Sequence, residues 1–346
     1  MAPSPEMAMR DAAGAVDVLI VSLGSTGGLR VADADLADSL QKAGVSVAVV
    51  SATPPRAVRT LALTDLSWAL AARRVARREL ARRTPRAIIY SSTTAALLWP
   101  RPGAIRFDAP AAGNRPGRHG LWQRPLERRR LRRSPLLLPL SEGALRELPG
   151  AARRIGHELV LPVPTEASGI GPANRDIDAI TYAANPRKKG LDRVLEAWRA
   201  VRRPGEELVV AGVSREDLRG AGIELPEEGV RLSGMLARSE YRALLRRARV
   251  FVCAPRREDY GQAQLEALAD GCLLVTTPAP GPYAALPIAR ELDPRLVSED
   301  LAGGMRIALD DPPADYSAHA LKLLAPFGSA TVDRLVTEQL LPRLLA

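Results

Sequence analysis

Cysteine is almost missing from this chain: Cys253 and Cys272 are the only two in 346 residues. Both sit in apolar stretches, which disfavours a disulfide framework and points to buried thiols. The three histidines, His119, His157 and His319, share no metal-ligand spacing with one another or with the cysteines. Aromatics make up 4% of the residues and do not interleave with the basic clusters, so no stacking platform for single-stranded nucleic acid is expected. No apolar run approaches the roughly 18 to 20 residues needed to cross a bilayer. The first ten residues pass into Asp11 and Asp17 without an apolar core of the signal-peptide kind, which predicts a cytoplasmic address. A dinucleotide fingerprint is absent, because Thr26 stands two residues beyond Gly24, and neither a P-loop nor a G-x-S-x-G elbow occurs. Lysine is scarce as well: only Lys42, Lys188, Lys189 and Lys322 among 49 basic residues, the others being arginine.

What is present is ordinary globular material, 46% apolar and 25% charged. The length fits two domains at roughly 100 to 200 residues each. A formal charge of +10 is compatible with anion recognition and equally with an arginine-biased genome, so its distribution matters more than its size.

Short β-branched runs alternate with helical patterns throughout, the signature of βαβ units and parallel sheets covered on both faces. Strands are predicted at about 16–23, 46–51, 87–91, 104–108, 135–140 and 158–162, with helices at about 28–42, 65–83, 121–132 and 141–148. The Pro/Gly/Asn-rich stretch 162–174 reads as a linker. A second set follows, with strands at about 179–184, 207–212, 230–233, 250–254 and 273–277, and helices at about 190–203, 237–248, 261–270, 298–309 and 315–324. The last segment places Val332, Leu335, Val336, Leu340 and Leu344 on one helical face that must be buried. The division is therefore 1–164, an N-terminal Rossmann-like domain; 165–329, a C-terminal Rossmann-like domain; and 330–346, a helix packing back toward the first. Ligands in such sheets bind beyond the carboxyl ends of the strands, so a cleft between the two halves is the expected site.

The informative stretch is 250–271, VFVCAPRREDYGQAQLEALADG. A strand ends near Ala254, and a helix starts near Gly261. Its first turn would offer Tyr260, Gly261 and Gln262 as an anion site at the positive end of the dipole. Glu258, followed by Asp259, lies at the mouth of that site, and Glu266 lies one turn inside the helix. Ionised carboxylates accept hydrogen bonds from sugar hydroxyls, so an anion site with two of them suits a nucleotide sugar. The plainer alternative is that Glu258 and Glu266 merely complement a helix N-terminus and a solvated face.

With Glu258 and Glu266 separated by seven residues inside EDYGQAQLEALADG (258–271), the sequence resembles the retaining glycosyltransferases of family four, which have the GT-B fold. The stretch TYAANPRKKGLD (181–192) is similar to a second family signature, in which an Arg and a Lys grip the donor diphosphate. VRLSGMLA (230–237) falls where the family pattern expects it. The resemblance implies two Rossmann-like domains and a hexosyl transfer from a nucleotide sugar, UDP- or GDP-linked. It also implies retention of configuration, no metal and no further cofactor. Lys189 would meet the leaving diphosphate, Glu258 would orient the donor sugar, and Glu266 would hold the ribose. Met235 and Leu236 would wall the base, and Gly27 and Gly28 would line the cleft unless they serve only as a flexible helix cap. The acceptor would be a glycan, a lipid-linked sugar or a small molecule.

The sequence also departs from the family. The usual Arg falls on Ala184, leaving Arg187 or Lys188 to supply the charge unless both are solvated. The family's His-Asp pair after the fourth strand reads Phe107-Asp108, so Asp108 alone remains as a catalytic candidate, with His119 eleven residues on as a substitute or a plain loop residue. Two arginine clusters, 67–86 and 115–133, suit peripheral contact with anionic lipid headgroups or simply solvated faces. Two rival readings remain: a nucleotide-sugar 2-epimerase of the same fold, and a catalytically inactive basic protein that binds nucleic acid or membrane.

Overall fold

The computed structural model describes residues 15–53, 60–115, 117–153 and 156–346. Its contacts divide the chain into one unit of 1–164 with 329–346, and a second of 165–328. The reading of the first ten residues lies outside the described residues.

The N-terminal unit is built on five parallel strands, β1 (Ala15–Ser22), β2 (Val47–Ser51), β3 (Thr84–Tyr90), β4 (Ala104–Phe107) and β5 (Leu137–Pro139), in the order β2-β1-β3-β4-β5. The middle of strand β1, Val18 to Val21, is a continuous apolar run because it is covered on both faces, and these four residues have no exposed surface. Side chains alternate across the sheet. Leu19 and Val21 face the helix Leu61–Leu80 through Ala72 and Ala76. Val18 and Ile20 face the helix Gly27–Lys42 through Leu36 and Leu40, together with Val332, Val336 and Leu340 from the end of the chain. The terminal segment thus completes the core of the N-terminal unit. It widens into a π-turn at Val336–Leu340 just before Pro342, which lacks an N–H and would crowd a tighter helix.

Residues 158–162 do not form the strand the sequence suggested. They run beside β5 through an isolated bridge, Leu137 to Glu158, and two backbone bonds onto Leu137 and Pro139. Pro162 and Pro164 have no N–H with which to extend the ladder. Two short helices, Thr93–Ala96 and Ala111–Asn114, carry too few residues to show a period.

The C-terminal unit has strands β6 (Ile177–Tyr182), β7 (Leu208–Ala211), β8 (Val230–Gly234), β9 (Ala248–Cys253) and β10 (Leu273–Thr276), all parallel, in the order β10-β9-β6-β7-β8. The chain moves outward from β6 to β8 and then crosses to the other flank of β6, where Ala179 pairs with Val250 and Ile180 with Phe251. Strand order therefore reverses between β6 and β9; in the N-terminal sheet it reverses between β1 and β3. Crevices for ligands open at such points. The helix Leu191–Val201 buries Leu191, Val194, Leu195 and Trp198, one helical stripe, and the Trp198 indole donates to the Gly229 carbonyl at 2.8 Å. Helices Arg215–Ala221 and Ala285–Leu292 went unread in the sequence. The supposed linker is partly ordered against this unit: Thr165 N–H donates to the Phe327 carbonyl, and Ser168 N–H and hydroxyl donate to the Asp270 carboxylate.

Because Leu340 has no exposed surface while Leu344 is only partly buried, Leu340→Ala should cost about 2 kcal/mol or more of stability. Leu344→Ala should cost visibly less. Equal losses on urea denaturation would show that the terminal segment is not part of the core.

Candidate functional site

Two loops meet where strand order reverses in the C-terminal unit, one leaving β6 and the other leaving β9. Each ends at a glycine in the left-handed region, Gly190 (φ +66°) and Gly261 (φ +92°), and each glycine starts a helix whose first turn has no side-chain cap. Both choices are steric. A Cβ on Gly190 would lie 1.8 Å from the Ala254 carbonyl oxygen, and one on Gly261 would press on the Tyr283 ring at 3.0 Å. Two sets of first-turn N–H groups, each the positive end of a helix, are thereby brought to one edge of the sheet.

Charged side chains stitch the loops together. Arg256 donates its N–H to the Lys188 carbonyl at 3.0 Å, and its guanidinium holds the Asp192 carboxylate at 2.9 and 2.6 Å. Lys189 Nζ reaches Glu258 Oε2 at 2.6 Å, and Lys188 Nζ reaches Asp259 Oδ2 at 2.6 Å. Glu258, Asp259 and Tyr260 are all buried. Burial works to raise the pKa of Asp259, but the Lys188 ammonium and the Arg257 guanidinium outweigh it and hold the carboxyl below its ordinary value. Asp259 is thus committed to two cations.

Glu266 forms a second centre on the helix Gln262–Ala269. Its Oε1 accepts from Arg238 at 3.0 Å and from Gln262 at 3.3 Å, with Arg242 at 3.7 Å. Gln262 also donates to the Thr165 hydroxyl at 3.2 Å, and its own Oε1 is buried without a partner. Near Glu266 lies the pair Tyr182 and Tyr241, ring centroids 5.0 Å apart and planes tilted by 50°. Burial, and then the Glu266 charge, push both phenols up, so they stay protonated at neutral pH. Met235, 67% exposed, and the half-buried Leu236 leave β8 just ahead of Arg238. The Arg238 contact therefore carries that segment toward Glu266.

Arg187 behaves differently from the expectation that it substitutes for the guanidinium missing at Ala184. Its Nε donates to the Ala221 carbonyl at 3.0 Å, tying the loop to the last turn of the helix Arg215–Ala221. A cavity of about 270 Å³, lined in part by Asn185, Arg187 and Asp217, lies beside it. That is below the roughly 300 to 1,000 Å³ of ordinary ligand pockets. Of the basic residues 187 to 189, it is Lys189 and Lys188 that point at the buried carboxylates.

In the N-terminal unit, Gly27 and Gly28 are the exposed first residues of the helix Gly27–Lys42, whose cap is Thr26, its hydroxyl accepting from the Leu29 N–H at 3.2 Å. A Cβ on Gly28 would meet nothing within 4 Å, so packing does not require glycine there. Phe107 is 2% exposed and fills the core, while Asp108 is exposed, its carboxylate accepting from the Ala109 N–H at 2.7 Å. His119 lies in the turn Gly117–Gly120. The reversal point between β1 and β3 holds a cluster that sequence reasoning missed. Asp33 is buried 3.5 Å from the Arg106 guanidinium and accepts from the Ser91 hydroxyl at 3.1 Å. Burial raises its pKa; Ser22, Arg106 and Ser91 pull the other way. Nothing in the sequence joins residues so far apart.

The arginine clusters divide into half-buried and solvated members. Arg130 stacks over Trp99 at 5.0 Å and Arg73 donates to the Leu98 carbonyl, whereas Arg74, Arg77, Arg78, Arg128, Arg129, Arg132 and Arg133 are exposed. Among the described residues no helix is long and apolar enough to cross a membrane.

Residues 178–325 match the family model described as glycosyl transferases group 1. No curated protein sequence matches the chain. Among solved structures, the chain is similar to Anabaena HepE in complex with UDP and glucose, at 14% identity over 94% of this chain and 99% of that one, TM-score 0.65. It is also similar to WaaG, a glycosyltransferase involved in lipopolysaccharide biosynthesis, at 15% identity over 93% and 100%, TM-score 0.66. A third similar structure is AviGT4, a glycosyltransferase involved in avilamycin A biosynthesis, at 17% identity over 95% and 98%, TM-score 0.59. At such identities these likenesses speak for the fold, which is GT-B. The matched stretch lies within the C-terminal unit and contains the double-Glu block, Glu258 and Glu266.

Gly190→Ala should destabilise the protein by about 2 kcal/mol or more, since it combines a left-handed backbone with a backbone clash. A denaturation midpoint equal to that of the wild type would contradict the packing described. Because the folded pKa of Asp259 lies below the unfolded one, its stabilisation is complete at neutral pH and lost as the pH falls below about 4. The difference in melting temperature between the wild type and Asp259→Asn should therefore close on acidification. A gap that widens in acid would refute the pairing.

Proposed function

We propose that the protein is a retaining, metal-independent glycosyltransferase that moves a hexosyl group from a UDP- or GDP-linked donor to an acceptor hydroxyl. The observation that carries this reading is the meeting of Lys189 and Glu258, 2.6 Å apart, in front of two uncapped helix starts. It is supported by the match of residues 178–325 to group 1 glycosyl transferases. The similar HepE structure, a complex with UDP and glucose, agrees with it.

Departure of the sugar places negative charge on the nucleotide diphosphate. The Lys189 ammonium, turning from Glu258 with Lys188 nearby, and the amides at Tyr260 to Gln262 at the helix start meet that charge without a metal. Glu258 accepts hydroxyls of the donor sugar, and Glu266 accepts those of the ribose. Met235 and Leu236 cover the base. No protein nucleophile is assigned; the leaving phosphate takes the acceptor proton. Asp108, together with Gly27 and Gly28, belongs to the N-terminal unit's part of the site. The acceptor is a glycan, a lipid-linked sugar or a small molecule. The exposed arginines of the N-terminal unit suit contact with an anionic membrane at its cytoplasmic face.

UDP or GDP should raise the melting temperature of the wild type, and Lys189→Ala or Glu266→Ala should abolish the shift. A panel of UDP- and GDP-sugars should release nucleotide with one donor. A protein stabilised by DNA in low salt and by neither nucleotide would overturn the enzyme reading.

A further inference from the structure

Glu258 is held from two sides, and the second holder belongs to no recognised signature. Gln264, on the first turn of the helix Gln262–Ala269, is 1% exposed and donates its Nε2 to Glu258 Oε2 at 3.1 Å. That oxygen is the one Lys189 reaches at 2.6 Å. A carboxylate only accepts, so the amide must present its NH2 to Glu258. The same nitrogen reaches Cys253 Sγ at 3.6 Å. Cys253 in turn lies 3.3 Å from the Thr276 hydroxyl and 3.5 Å from the Tyr283 hydroxyl, and those two are 2.8 Å apart. Burial pushes the Cys253 thiol and the Tyr283 phenol up, so the chain behind the amide is neutral. Gln264 is thereby anchored to the ends of β9 and β10. Its own Oε1 is buried without a partner, a cost that a residue serving only to fill space would not carry.

Both bonds onto Glu258 fall on Oε2, and among the described residues none falls on Oε1. Oε1 is then the oxygen left for a ligand hydroxyl. Lys189 cannot serve both Glu258 and a diphosphate at full strength. Once the ammonium turns to phosphate, Glu258, 4% exposed, would be a buried charge stripped of its ion pair.

We propose that Gln264 is a positioning residue for the donor sugar, keeping the Glu258 carboxylate aimed after the donor diphosphate has drawn Lys189 away. This rests on the donor site proposed above. Gln264 touches neither phosphate nor base. Its loss should therefore leave nucleotide binding alone and weaken only the step that needs an oriented sugar.

The test uses the full chain and the UDP- or GDP-sugar from which the wild type releases nucleotide. Gln264→Met keeps length and volume but has no N–H. Its affinity for UDP or GDP should stay within about twofold of the wild type, while kcat for nucleotide release falls about tenfold to a hundredfold, the range expected for one hydrogen bond to a charged group. Gln264→Glu should regain activity relative to the wild type as the pH falls, because the protonated carboxyl can again donate to Glu258. An unchanged kcat in Gln264→Met, or nucleotide affinity falling in step with kcat, would overturn the proposal. If Gln264→Met does not fold, the pH profile of Gln264→Glu decides, and a profile parallel to the wild type is the negative result. A wild type that neither binds UDP or GDP nor releases them from any donor would bring down the donor reading, and this inference with it. The two failures are thus distinguishable.

Discussion

Two positive helix ends are forced together where strand order reverses in the C-terminal sheet, and the rest of the site follows from that constraint. The loops that bring them there also carry Lys188, Lys189, Arg256 and Arg257, so positive charge accumulates at one edge of the sheet. The protein answers with its own carboxylates: Glu258 on Lys189, Asp259 on Lys188 and Arg257, and Asp192 on Arg256. These pairs are internal counterions. On the proposed donor reading, a diphosphate entering the same field would take over part of their task, and its binding would be an exchange of partners for Lys189 and not a simple addition of charge.

The carboxylates nevertheless have different freedoms. Asp259 is clamped by two cations and Asp192 by a guanidinium, which suits a role in holding the loops. Glu258 keeps an oxygen unbonded among the described residues. Glu266 is gathered by Arg238, Arg242 and Gln262 from two helices, and Arg242 is in turn paired with Asp270, which also receives Ser168. The second centre is therefore braced through to the segment that opens the C-terminal unit. Arg187, by contrast, is used to tie a loop to a helix end. That the guanidinium missing at Ala184 is not restored by its nearest arginine leaves a lysine, Lys189, as the cation on Glu258 in a protein that otherwise favours arginine. A lysine is a compact point charge that can turn from carboxylate to phosphate, whereas a guanidinium held in a fixed fork exchanges partners less readily.

The N-terminal unit applies the same topological rule to different chemistry. Its reversal point holds a buried Asp33 and Arg106 with the hydroxyls of Ser22 and Ser91. Phe107, at the position where the family often has histidine, is a core side chain packed with Ile105 and Leu137. That position therefore serves stability in this chain, while Asp108 beside it faces outward.

Local signals settled much of this in the sequence alone. The alternation of apolar runs with helical periods is a property of neighbours along the chain, and it located all ten strands of the two sheets. The helix start at Gly261, the seven-residue spacing of Glu258 and Glu266, and the Lys189-Gly190-Leu191-Asp192 register were legible for the same reason. The tertiary structure decided which partners the charges take. Gln264, Arg238 and Arg242 were silent because a residue's distance from Glu258 or Glu266 depends on how helices pack over the sheet, not on any local pattern. The fate of 158–162 likewise depended on backbone donors that two prolines withhold. Propensity and periodicity act over a few residues, whereas burial and ion pairing act through space, and only the fold brings Lys189 to Glu258 across 69 positions of chain.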